Sequence, residues 1–107
     1  MDQPESTNPA HALAQRMRIC NRRGLHARAS ARFVRTSEQF DAEISVTHNG
    51  VTVGGTSIMG LMMLAAGPGS HILVRATGKQ AREALEALSD LVDCGFDEDS
   101  EAGGEEQ

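Results

Sequence analysis

Between residues 42 and 53 apolar and polar side chains alternate, and the pattern breaks once, at Asn49-Gly50. Ala42, Ile44 and Val46 fall on one side, and Glu43, Ser45 and Thr47 on the other; Val51 and Val53 resume the pattern. A period of two marks a strand with one face buried. Asn-Gly supplies the positive-φ pair of a tight hairpin turn. This stretch therefore makes an antiparallel pair that needs further strands and a covering layer.

The rest of the chain supplies both. Residues 15–21 alternate, with Met17 and Ile19 opposite Arg16 and Arg18, which predicts a first strand. After the Arg22-Arg23-Gly24 loop, Ala29, Ser30, Phe33, Val34 and Ser37 form one stripe of a helix over residues 26–39. Gly54-Gly55 ends the hairpin, and Thr56 or Ser57 can cap a short helix reaching Leu64. Gly67-Pro68-Gly69 closes it, and Ile72, Val74 and Ala76 predict a fourth strand. Ala81, Ala84, Leu85, Leu88, Leu91 and Val92 repeat at helical spacing until Gly95. The order is βαββαβα. The expected fold is α+β, an open-faced sandwich with a four-stranded antiparallel sheet and three helices on one face.

Residues 1–14 are expected to be a disordered leader, 15–96 the folded domain and 97–107 an acidic disordered tail. The net charge of −5 hides a division between these parts. Asp2 and Glu5 lie in the leader, and Asp97, Glu98, Asp99, Glu101, Glu105 and Glu106 in the tail. The domain keeps all 10 Lys and Arg, most of them crowded between Arg16 and Arg35. That segment is expected to form a basic surface for an anionic ligand or partner.

Several function classes are excluded. At 107 residues the chain is one domain, too small for an enzyme with its own deep cleft. The longest apolar run, residues 58–66, is shorter than the roughly 18 residues that suggest a membrane span. The N-terminus has neither the basic start nor the apolar stretch of a secretory signal. Cys20 and Cys94 match no metal-ligand spacing, and both are expected to be small packing residues in a reducing cytoplasm. No metal or other cofactor is expected. A small basic RNA-binding module is a competing class, and the lack of Trp and Tyr for base stacking argues against nucleic acid.

His26 stands out by position. It follows Gly24, begins a helix and lies among arginines. Free amides at a helix start favour anions, and Arg28 can fork onto phosphate oxygens. A neutral imidazole is a nucleophile near neutral pH. The same features also suit a residue that merely caps the helix or binds a structural anion. His11, His48 and His71 are expected to be solvated surface residues.

The run Arg23-Gly24-Leu25-His26-Ala27-Arg28-Ala29-Ser30 resembles the active-site motif of the HPr family, the histidine phosphocarriers of the bacterial phosphotransferase system. Ser57-Ile58-Met59-Gly60-Leu61-Met62 resembles the same family's serine-phosphorylation region. Their spacing, the βαββαβα order and the turn at Ala76-Thr77-Gly78 resemble that family too. The resemblance covers residues 16–96. It implies a cytoplasmic, monomeric phosphoryl carrier without a small-molecule substrate of its own. In it, His26 accepts a phosphoryl group on Nδ1 from phospho-Enzyme I, Arg28 stabilises the group, and a IIA domain receives it. It also implies that Ser57 is a target of an HPr kinase/phosphorylase. The regulatory nitrogen-branch carrier, the NPr type, is the alternative within the family. Two positions depart from its pattern: Ala29 stands where Pro is usual, and Thr56 where many members have Lys.

Residues 58–64 carry too many apolar side chains for one face of a short helix. Leu61 and Leu64 are expected in the core. Ala31, Ile58, Met59 and Met62 are expected to form a partner-docking patch, adaptable because methionine is flexible. The ring of His26 is expected to be exposed between two successive partners.

Overall fold

The computed structural model describes residues 12–98, and among these residues seven regular elements occur. They are β1 (Ala12–Arg18), α1 (Ala27–Ser37), β2 (Glu43–His48), β3 (Val51–Gly54), α2 (Ile58–Met63), β4 (His71–Thr77) and α3 (Ala81–Asp93). A short turn, Gly95–Asp97, follows. The strands form one antiparallel sheet in the order β1-β4-β2-β3. The three helices cover one face of it, which is the open-faced α+β arrangement expected.

Strand alternation decides which residues meet the helices. Ile72, Val74 and Ala76 of β4 are buried, as are Ile44 and Val46 of β2 and Met17 of β1. Register sets Met17 opposite Ile72, and Val46 opposite both Val53 and Val74. The stripe on α1 is the expected one, with Ala29, Ser30, Phe33, Val34 and Ser37 buried. On α3, Ala81, Ala84, Leu85, Leu88 and Val92 are buried, with Leu91 packed at the margin. Each fully buried Phe, Leu or Val side chain contributes about 1.5–3 kcal/mol of hydrophobic stabilisation. That is how a core with few aromatics suffices.

The first strand differs from expectation. It begins at Ala12 rather than residue 15 and ends at Arg18, because Ala12 and Leu13 pair with Thr77 and Ala76 of β4. Residues 12–14, expected in the leader, are thus strand; residues 1–11 lie outside the described part. Ile19 leaves the strand but stays tied, donating its amide to Ser70 at 2.8 Å and accepting from Gly69 at 2.7 Å.

The basic segment is spread over three parts of the fold. In β1, Arg16 and Arg18 sit opposite Leu73 and His71, in the set that points away from buried Met17. They share the open face of the sheet with Arg75 of β4, whose neighbours Val74 and Ala76 are buried. Arg22 and Arg23 lie in the following loop, and Arg28 and Arg35 are exposed on α1. The period of two keeps Arg16 and Arg18 together on the open face, while the later arginines lie on a loop and a helix.

At the other end, Gly95, Phe96 and Asp97 all have positive φ, at 66°, 57° and 64°. Such a turn costs about 1–2 kcal/mol for each residue other than glycine. Burial of the whole Phe96 ring offsets it. Within the turn, the Phe96 carbonyl oxygen accepts from Arg32 Nη1 in the middle of α1.

Candidate functional site

The loop from Asn21 to His26 is built around one carbonyl. The Gly24 oxygen accepts from Asn21 Nδ2 at 2.8 Å and from the His26 amide at 2.9 Å. Leu25 is buried, and its amide donates to the Ala66 carbonyl at 3.0 Å, fastening the loop to the segment after α2. His26 is thereby fixed as the N-cap of α1 with an extended backbone, φ −78° and ψ −175°. Its side chain caps nothing. The first helical hydrogen bond runs from Ser30 to the His26 carbonyl, at 2.9 Å. The amides of Ala27, Arg28 and Ala29 therefore stand outside the helical ladder, at the positive end of an 11-residue helix.

The imidazole is less open than expected. Its side chain is 17% exposed, and Nε2 meets the Glu98 carboxylate oxygen Oε2. With Nε2 as the donor, the neutral ring carries its lone pair on Nδ1. The other Glu98 oxygen accepts from Asn21 Nδ2 at 3.0 Å. Sequence reasoning missed both partners. Asn21 looked like the end of a strand and Glu98 like part of a solvated acidic run.

A solvent-exposed apolar surface lies on α2. Ser57 caps this helix, its Oγ accepting from the Gly60 amide at 2.9 Å. Leu61 and Leu64 are buried as expected. Ile58, Met59, Met62 and Met63 are exposed, Met59 at 67% and Met63 at 74%. Ala31, half-buried on α1, belongs to the helix that packs against α2. Met63 was not among the expected docking residues, although the six-residue helix has room for only one buried face.

The cysteines correct an expectation: both are exposed. Cys20 Sγ donates to the Val92 carbonyl at 3.3 Å. Partial desolvation, and then a hydrogen bond to the Asp97 carboxylate, push the Cys94 thiol up. No cluster of metal-binding side chains occurs among the described residues, and no helix there is long and apolar enough to cross a membrane.

Comparison with known proteins places this geometry. The family model for the phosphotransferase-system HPr component phosphorylation site matches residues 13–93. The chain belongs to the HPr family. It is 49% identical over 86 residues to phosphocarrier protein HPr of Neisseria meningitidis, covering 80% of this chain and 97% of that one. It is 40% identical over 88 residues to phosphocarrier protein NPr of Shewanella violacea, covering 82% and 97% respectively. Among solved structures, HPr-C-His from Thermoanaerobacter tengcongensis superposes with a TM-score of 0.77 at 37% identity, over 80% of this chain and 97% of that one. In this HPr-family chain His26 and Arg28 share the start of α1, while Ser57 begins the helix that bears the exposed methionines.

Proposed function

We propose that this chain carries phosphoryl groups on His26, accepting them at Nδ1 from phospho-Enzyme I and passing them to a IIA domain. The observation that carries the reading is the place of His26 as N-cap of α1, beside three amides outside the helical ladder. Those amides, the helix dipole and the Arg28 guanidinium favour the charge of a phosphoryl group. A site at a helix end suits a carrier, because two proteins must reach the same atom in turn. The exposed side chains of Ile58, Met59, Met62 and Met63, with Ala31 of the adjoining helix, are the docking surface in this reading. Ser57 is a regulatory phosphorylation site for an HPr kinase/phosphorylase. The protein works as a cytoplasmic monomer without a cofactor.

Likeness to the NPr of Shewanella violacea supports a second reading, in which the same transfer serves nitrogen-branch regulation. The RNA-binding alternative lacks Trp and Tyr for base stacking, and its basic segment is spread over β1, the following loop and α1.

The test is incubation with Enzyme I and phosphoenolpyruvate, followed by intact-mass measurement. Wild type gains one acid-labile phosphoryl group, and His26→Ala gains none while keeping its fold. Phosphorylation retained in that variant, at His11, His48 or His71, overturns the assignment.

A further inference from the structure

Two donors converge on one carboxylate beside the proposed acceptor. Asn21 Nδ2 donates to Glu98 Oε1 at 3.0 Å, and His26 Nε2 meets Glu98 Oε2. Asn21 is fully buried and shares its amide with the Gly24 carbonyl, so it is not free to follow a wandering side chain. Glu98 is itself only 14% exposed, an uncommon depth for a carboxylate. The left-handed turn at Gly95–Asp97 and the buried Phe96 ring hold it there.

We propose that Glu98 is a positioning residue for phosphoryl acceptance, fixing His26 with its proton on Nε2 and compensating the charge its ring gains during transfer. This rests on the reading of His26 as acceptor. Nδ1 gives its electron pair to phosphorus while the donor's bond to phosphorus breaks, and that bond's electrons return to the donor. The proton stays on Nε2, so the ring becomes cationic as the new bond forms. The carboxylate on Nε2 balances that charge from the far side of the ring, with the imidazole between it and the incoming phosphoryl group. When the group moves on, the N–P electron pair returns to Nδ1 and the ring is neutral again. No proton is gained or lost in the cycle. A carboxylate is required because two donors need two acceptor oxygens. An amide offers one acceptor and turns its own donors on Asn21 or His26.

The test uses the full chain and its Glu98→Ala, Glu98→Gln and Glu98→Asp variants. Proton–nitrogen NMR of the unphosphorylated protein reads the hydrogen-bonded Nε2–H of His26. Steady-state phosphorylation by Enzyme I reads kcat and KM, and thermal melting checks the fold. The downfield Nε2–H signal is expected in wild type, lost in Glu98→Ala and partly kept in Glu98→Asp. The kcat is expected to fall about tenfold to a hundredfold in Glu98→Ala and Glu98→Gln, the scale of a hydrogen bond to a charged group. Glu98→Asp recovers part of it, and KM for Enzyme I stays unchanged. A wild-type kcat in Glu98→Ala overturns the proposal. A faster reaction makes Glu98 a brake, and a change in KM alone makes it a docking contact; each overturns it too. No phosphorylation of wild type overturns the acceptor reading and the role in transfer with it. A missing Nε2–H signal in a wild type that is phosphorylated overturns the positioning alone.

Discussion

A Cβ on Gly24 would lie 2.3 Å from the carbonyl oxygen of Ala66, the atom that accepts the Leu25 amide. Gly24 also has φ +64°, a conformation other residues adopt at a cost. The loop carrying His26 thus packs, backbone to backbone, against the chain leaving α2. Gly24→Ala forces this contact apart and strains the turn, so a loss of about 2 kcal/mol or more is expected. The same substitution displaces the carbonyl that orders Asn21 and His26. Thermal melting and the His26 phosphorylation rate should fall together. Gly67→Ala, with ordinary φ and nothing within 4 Å of the new methyl, should change neither.

Arg28 occupies the second position of α1 and is solvent-exposed. Arg28→Ala should therefore alter stability by no more than about 0.5 kcal/mol. In the proposed carrier Arg28 contacts the phosphoryl group, and loss of that contact should slow transfer by roughly tenfold to a hundredfold. Arg28→Lys keeps the charge but not the planar fork, so its rate should fall between the two. Rapid-quench measurement of transfer from phospho-Enzyme I distinguishes these outcomes. A wild-type rate in Arg28→Ala makes Arg28 a surface charge and no more.

Leu61 and Met59 divide the short helix α2 between core and solvent. Leu61 is fully buried, whereas Met59 is 67% exposed. Leu61→Ala should cost about 2–5 kcal/mol. Met59→Glu should leave the melting temperature near that of wild type and raise the KM for Enzyme I, since a charge in an apolar contact must be desolvated. Unchanged KM in Met59→Glu removes Met59 from the docking surface.

The elements were legible because their periods are clean. The α1 stripe ending at Ser37 and the Asn49-Gly50 turn need only local rules. Nearness in sequence does not keep the arginines of residues 16–35 on one element. The alternation that buries Met17 already places Arg16 and Arg18 on the open face. The places of His26 and Arg28 at a helix start were legible, because the loop ending at Gly24 and the apolar stripe beginning at Ala29 bracket them. Asn21 and Glu98 were not, because their contact spans 77 positions and depends on the left-handed turn through Phe96 and Asp97. Neither residue favours positive φ strongly enough to announce that turn. The depth of Phe96 decides it, and that is a property of the assembled core.

Ser57 caps α2 with the same hydroxyl that is the proposed phosphorylation site. Its Oγ accepts the Gly60 amide at 2.9 Å, so Ser57→Ala removes the cap of α2 and should cost about 1 kcal/mol. Ser57→Asp can keep a capping acceptor and places negative charge at a helix start, so it should be more stable than Ser57→Ala. Function should run the other way. Ser57→Ala leaves the apolar patch uncharged and should be phosphorylated on His26 at close to the wild-type rate. Ser57→Asp sets a charge beside exposed Ile58 and Met59, where the proposed docking must exclude water. Its KM for Enzyme I should rise. Phosphoserine, with about −1.5 to −2 charges, should raise it further. Stability and transfer are therefore expected to rank the two variants in opposite order. Melting curves and steady-state phosphorylation of wild type, Ser57→Ala, Ser57→Asp and enzymatically phosphorylated protein check this. If serine-phosphorylated protein reacts at His26 as fast as wild type, Ser57 is a helix cap without a regulatory role.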